Sequence, residues 1–291
     1  MSDRPSNPTA ENSTEPGPIV RAVEYVGGLT DSQIKKTIDV VAFIGGATAL
    51  CGSTLAWIHR MVFRRDARIG LDHIYTQMVR VGIKSIPIIF LVEIFIGIIL
   101  CLQMAPTLKW YGQLERVADI VAVAMFRELG PLLAGIVLSG FAGASIAAEL
   151  GTMVEGEEIK ALRATALNPI RFLVVPRFLA TVIMLTLLTV LADVIGVLGG
   201  FLTSVFILDL SADQYISYTR AAVLPRDFLG GIFKAGVFGA MIALIACHEG
   251  LNVRGGAAGV GQATTNTVVK SIVALITADV IFTALFYAFG I

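Results

Sequence analysis

Seven ionisable side chains stand inside long apolar stretches of this 291-residue sequence: Glu93, Arg127, Glu128, Glu149, Asp193, Lys234 and Asp279. A charge at the centre of a bilayer costs at least ~2.5 kcal/mol on insertion scales, so such groups turn toward protein or water. Three chemistries fit the set. Arg127 and Lys234 can balance acids such as Glu128 and Asp279 as structural ion pairs. The same groups can wall a hydrated cavity for an amphipathic molecule. Glu93, Asp193 and Asp279 can alternatively act as ion or proton sites in an ion-coupled secondary transporter or channel. The run Arg127-Glu128-Leu129-Gly130-Pro131 sets adjacent opposite charges before a helix-perturbing Gly-Pro step.

The elements that hold these residues follow from composition. Hydrophobic residues make up 56% of the chain and charged ones 15%, with a mean hydropathy of +0.80. Soluble domains carry roughly 25% charge, so the expected class is an all-α integral membrane protein. Lys and Arg (22) match Asp and Glu (22) without a basic stripe, which argues against a nucleic-acid partner. Cys51, Cys101 and Cys247 lie far apart, as do His59, His73 and His248, so no metal site is expected.

A hydrocarbon core of about 30 Å needs about 20 apolar residues per helix. Segments 86–108, 117–153, 172–208, 228–247 and 270–290 meet that need. The earlier apolar stretch 38–60 carries Asp39 and ends at a cluster with Arg60, Arg64, Arg65 and Arg68. It is expected to lie in the interface as an amphipathic helix, with spanning as the alternative. Residues 1–35 form a polar N-terminal extension, and 36–291 the membrane domain. Basic residues crowd into 59–84, 155–177 and 249–270, leaving Lys109, Arg116, Arg220 and Arg226 on the other side. The positive-inside rule then gives five crossings, with the N-terminus cytoplasmic, the C-terminus outside and 209–227 as an external connection carrying a short helix.

Two further patterns are candidates. Segment 155–168 opens with Glu155, Glu157 and Glu158, and places Ile159, Leu162 and Ala166 on one stripe. An amphipathic loop helix of this kind docks on the nucleotide-binding subunit in ABC transporters; otherwise it is an ordinary interfacial helix. Ser139, Gly143, Ala147 and Gly151 form a small-xxx-small row, suited to close packing within one subunit or to a sliding or dimerising face. No G-x-x-x-x-G-K-[ST] occurs, and the glycines at 255, 256, 259 and 261 are read as a flexible turn leading into a helix.

Four motifs in order, FRELGPLLAGIVLSGFAGASIAAELGTM (126–153), EEIKALRATALNPIRFLVVPR (157–177), LADVIGVLGG (191–200) and GGAAGVGQATTNTVV (255–269), resemble the MlaE permease family, also called YrbE, of MCE-associated ABC transport systems. The resemblance covers roughly residues 38–291. It implies a non-enzymatic permease subunit, homodimeric in the bacterial inner membrane, with an interfacial helix and five transmembrane helices. It implies transport of phospholipid or a related lipid, and a coupling helix at 155–168 (Glu155, Glu158, Ile159, Ala161, Leu162 and Arg163) docking on a cytoplasmic ATPase. ATP and Mg would sit on that partner, and no cofactor on this chain. An MCE-domain (MlaD-like) protein is expected on the periplasmic side, where the C-terminus lies, and a STAS-domain protein often accompanies the ATPase. Positions matching Arg127, Glu128, Lys234 and Asp279 line or support the family's lipid cavity; Glu93 is placed with them as a further intramembrane acid.

Overall fold

Prolines follow two of the three places where the long apolar rods of this chain depart from regular α-helix. Pro131 has no N–H to donate, and its ring collides with the carbonyl four residues back, at Arg127. The helix accommodates this with a π-turn over Met125–Leu129. A second π-turn spans Ser139–Gly143, and a third spans Ile170–Val174, just ahead of Pro176.

The computed structural model describes residues 18–63 and 71–290. All regular elements among them are helical: α1 (Pro18–Phe63), α2 (Leu71–Val81), α3 (Ile86–Trp110), α4 (Val117–Ala124), α5 (Gly130–Leu138), α6 (Ala144–Glu155), α7 (Glu158–Ala164), α8 (Val175–Phe206), α9 (Ala212–Ala222), α10 (Pro225–Leu251) and α11 (Gly256–Phe289). The π-turns join α4, α5 and α6 into one rod. Helix α1 begins inside the stretch 1–35 read as a polar extension, and residues 1–17 lie outside the described residues. Helix α11 starts well before position 270. The glycine-rich segment read as a flexible turn becomes its first turns once Gly255 and Gly256 have supplied the positive φ angles (97° and 68°) that reverse the chain.

The chain divides into two units, Met1–Thr48 and Ala49–Ile291. In the first, α1 exposes Ile38, Val40, Val41 and Ile44, and Thr48 Oγ1 bonds back to the Ile44 carbonyl at 2.9 Å. In the second, Leu138, Leu185, Phe238, Ile242 and Leu275 form a fully buried core drawn from α5, α8, α10 and α11. A smaller core joins Cys101 of α3 to Val117 and Val121 of α4 and to Met125.

Among the described residues, six stretches are long and apolar enough to cross a membrane: Val40–Met61, Asp72–Trp110, Leu114–Glu155, Ile170–Phe206, Pro225–Leu251 and Gly256–Phe289. The first contains most of the segment expected in the interface, and by length and composition it meets the requirement of the alternative, a crossing. Outside the rods, α9 is capped by Ser211, whose Oγ accepts from Gln214 N–H at 3.2 Å while Gln214 Oε1 accepts from Ser211 N–H at 3.4 Å. Tyr215 anchors it by donating to the Val197 carbonyl at 3.2 Å, and burial pushes that phenol above its ordinary pKa.

Helices α3 and α8 cross at backbone distance. A methyl group on Gly97 would lie 1.9 Å from the Gly196 carbonyl oxygen, and one on Gly199 would lie 2.3 Å from that of Ile94. Side chains cannot yield there, because both obstacles are backbone. Gly97→Ala should therefore destabilise the fold by about 1–3 kcal/mol through overpacking. Gly140→Ala, which meets open space, should change stability by less than about 0.5 kcal/mol. Thermal melting of both variants in detergent checks the contrast.

Candidate functional site

Lys234 has no exposed side-chain surface, and its ammonium is fully engaged. Nζ donates to Glu128 Oε2 at 2.5 Å, to Asp279 Oδ1 at 3.0 Å and to Thr283 Oγ1 at 3.0 Å. Those contacts use all three donors of an ammonium. The Thr283 hydroxyl donates in turn to Glu128 Oε1 at 3.0 Å or to the Asp279 carbonyl at 2.8 Å. The Phe286 ring covers Lys234, its centroid 5.7 Å from Nζ. Asp279, Thr283 and Phe286 stand at i, i+4 and i+7 on α11, one face of one helix.

The partner face on α10 has the same spacing. Asp227, Gly231 and Lys234 stand at i, i+4 and i+7, so Asp227 and Lys234 lie about 10 Å apart along the axis. Arg127 Nε donates to Asp227 Oδ1 at 2.6 Å, and Asp227 Oδ2 accepts from Leu224 N–H at 2.9 Å. The adjacent residues Arg127 and Glu128 thus reach points two turns apart on α10. Both are carried by the π-turn. Gly231 lets α10 press against that turn: a methyl group there would meet the Phe126 carbonyl oxygen at 2.2 Å.

A half-open cavity of about 360 Å³ adjoins these pairs. Arg127, Glu128, Arg226 and Asp227 give it a charged wall; Phe286 and Tyr287 give it an aromatic one. The Arg127 side chain is 40% exposed and pairs through Nε, so its terminal amino groups remain for an anion. An arrangement of fixed charge beside exposed aromatic surface suits a molecule with an ionic head and an apolar body.

Comparison with known proteins is decisive for the family. The model of the family described as Permease MlaE matches residues 74–285. The chain belongs to the MlaE permease family. A Rickettsia felis relative called a probable ABC transporter permease protein is 38% identical over 259 residues, covering 89% of this chain and 98% of the relative. The Haemophilus influenzae intermembrane phospholipid transport system permease protein MlaE is 33% identical over 215 residues, 74% of this chain and 82% of that one. The Arabidopsis thaliana chloroplastic protein TRIGALACTOSYLDIACYLGLYCEROL 1 is 33% identical over 211 residues, 72% of this chain and 60% of that one.

In this MlaE-family chain, Arg127 and Glu128 from the π-turn line the cavity, while Lys234 from α10 and Asp279 from α11 do not line it and join it only through the ion cluster at Glu128. Glu93 is not among them. It is fully buried on α3, both its carboxylate oxygens lack hydrogen-bond partners, and it does not line the cavity; Asp193 on α8 is likewise buried, with Oδ1 unpartnered. Asp227, Thr283 and Phe286 escaped the sequence reading. Asp227 was assigned to the external connection, and Thr283 and Phe286 carry no charge to flag them. Their helical spacing from Lys234 and Asp279 was the available signal.

The expected loop helix 155–168 is shorter than its polar and apolar pattern suggested. Glu155 closes α6, Gly156 and left-handed Glu157 (φ 59°) break the rod, and α7 holds Glu158–Ala164 alone. Its end is a Schellman motif: Leu167 N–H bonds the Leu162 carbonyl at 3.0 Å and Ala166 N–H bonds that of Arg163 at 3.1 Å. Ala166 therefore sits beyond the helix at φ 59° rather than on its stripe. Ile159 turns into the protein, Leu162 is half-buried, and Glu158, Ala161 and Arg163 are exposed. A hydrogen bond from Lys160 holds the Glu157 carboxyl below its ordinary pKa. The row Ser139, Gly143, Ala147 and Gly151 is buried within this chain; a methyl group on Gly143 would touch Ile242 and Thr267, and one on Gly151 would touch Val253. It is an internal packing face.

Lys234→Met should destabilise the chain by about 3–5 kcal/mol, because Glu128 and Asp279 would share a largely buried site without a cation. Adding Glu128→Gln and Asp279→Asn to that variant should recover most of the loss. Denaturation of the single and triple variants in detergent measures both changes.

Proposed function

We propose that this chain is the membrane subunit of an ABC transporter that moves phospholipid, or a related lipid, between the inner membrane and an MCE-protein conduit. The observation that carries the reading is the cavity: a partly exposed Arg127, anchored through Nε on Asp227, faces a space walled by Phe286 and Tyr287. Arg127 binds the phosphate, and the aromatic wall takes the first methylenes of the acyl chains. Lys234, neutralised by Glu128 and Asp279, keeps α10, α11 and the π-turn in register around it. Two relatives bear the words intermembrane phospholipid transport and ABC transporter permease in their names.

Surfaces that the single chain leaves bare support the proposed assembly. Of the most apolar stretch of α11, only 6% is buried, and Val269, Val273, Val280 and Ile281 are exposed. A second copy packed on α11 would flank the cavity, which supports a homodimer as the functional unit. Helix α7 is the contact for a cytoplasmic ATPase that binds ATP and Mg, with Glu158, Ala161 and Arg163 outward. The MCE-domain protein meets the opposite, periplasmic side, where the C-terminus lies, and a STAS-domain protein attends the ATPase. The location is the bacterial inner membrane, with a cytoplasmic N-terminus.

Co-expression with the ATPase tests the reading. Glu158→Lys combined with Arg163→Glu should abolish co-purification of the ATPase while leaving the melting temperature unchanged, since both side chains are exposed. Arg127→Ala should lower the phospholipid recovered with the purified complex several-fold. Transport driven by an ion gradient with an ATPase-dead partner would overturn the assignment in favour of an ion-coupled carrier, the reading that the unpartnered Glu93 and Asp193 would suit.

A further inference from the structure

A second polar cavity, of about 180 Å³, lies between the end of α2 and the rod around its second π-turn. Gln77, Arg80, Lys84, Phe141, Ser145 and Glu149 are on its wall. Ser145 is eighteen residues from Arg127 along the same rod, about 27 Å at the helical rise. On the loop-charge reading this is the cytoplasmic face of the membrane.

The charges in this cluster do not cancel. Glu149 accepts from Arg80 at 2.8 Å and from Arg177 at 3.0 Å. One carboxylate is therefore shared by two guanidinium groups, and Lys84 has no counterion among the described residues. Arg80 keeps 43% of its side chain exposed. Gln77 Oε1 is buried with no hydrogen-bond partner, and a buried acceptor left unpaired costs about 1–3 kcal/mol. The cavity thus offers two cationic groups and a hydroxyl. Its flank is apolar: Phe141 is 42% exposed, and Ile83, beside Lys84 in sequence, is 52% exposed.

We propose that this cavity binds the phosphate of a membrane phospholipid of the adjacent leaflet. Arg80 and Lys84 hold the phosphate oxygens, and the acyl chains run out along Phe141 and Ile83. Excess positive charge with a lipid-facing apolar lip is what separates a lipid phosphate from a soluble anion, which would have no use for the lip. This site does not depend on the proposed transport, because a phosphate is held here whether or not the chain moves lipid.

The test uses the full-length protein in a sugar detergent with a phosphatidylglycerol that carries a headgroup diazirine, photolysed and mapped by peptide mass spectrometry. Labelling is expected on the segment 141–149. Unlabelled phosphatidylglycerol should suppress it; phosphate-free diacylglycerol and inorganic phosphate should not. Lys84→Glu, which breaks no bond of the folded chain, should reduce this labelling about tenfold, equivalent to about 1.4 kcal/mol in site affinity. Ser145→Leu, which fills the cavity without changing charge, should do the same. Labelling that survives both variants, with melting unchanged, overturns the proposal. So does displacement by inorganic phosphate as effective as by phosphatidylglycerol, which would make this a soluble-anion site. Labelling beside Arg127 and Phe286 is read separately and reports on the transport cavity alone.

Discussion

One ammonium group carries the constraint on which the rest of this structure depends. Lys234 is sealed from solvent, and two acids and a hydroxyl from two other helical segments converge on it. A charge buried at membrane depth tolerates no approximate geometry, since each lost partner leaves an uncompensated ion in a medium that cannot solvate it. Helices α10 and α11 and the π-turn must therefore meet in one register. Hydrophobic packing alone would permit several, because lipid tails are as apolar as leucine and provide little drive between helices.

Backbone irregularity is what makes that register reachable. Adjacent residues on a regular α-helix stand about 100° apart, yet Arg127 and Glu128 both reach α10. The π-turn ahead of Pro131 carries both, and Gly231 removes the side chain that would hold α10 away. The same economy of side chains recurs at the crossing of α3 and α8, where Gly97, Gly196 and Gly199 put backbone on backbone. Small residues and proline, which weaken helices in water, here specify which helices touch and where.

Much of this was legible in the residues themselves. Length and hydropathy located the membrane rods, and Gly130-Pro131 marked the bend beside the charged pair. The matching of Arg127, Glu128, Lys234 and Asp279 to a family pattern anticipated a cluster, though its pairing was open: Arg127 binds Asp227, an acid read as part of a loop. Glu93 was grouped by type and depth, but which acids share a cavity depends on helix rotation, and α3 is almost uniformly apolar, with no polar face to fix its rotation. Helix α7 lost its expected ends to backbone conformation, in which Glu157 and Ala166 take left-handed angles that neither residue type advertises. The glycine-rich approach to α11 misled in the opposite direction, since only its first two glycines turn the chain.

The far end of α11 has a consequence for anyone who handles this protein. Thr283 and Phe286 contact the buried ammonium, and Gly290 offers its carbonyl to Arg226 at 3.3 Å. The final helical turns are thus a wall of the charged cavity. Trimming them, or crowding them with a bulky affinity tag, would disturb that wall even if every hydrophobic segment still inserted normally. Purification handles on this polypeptide belong at the other terminus.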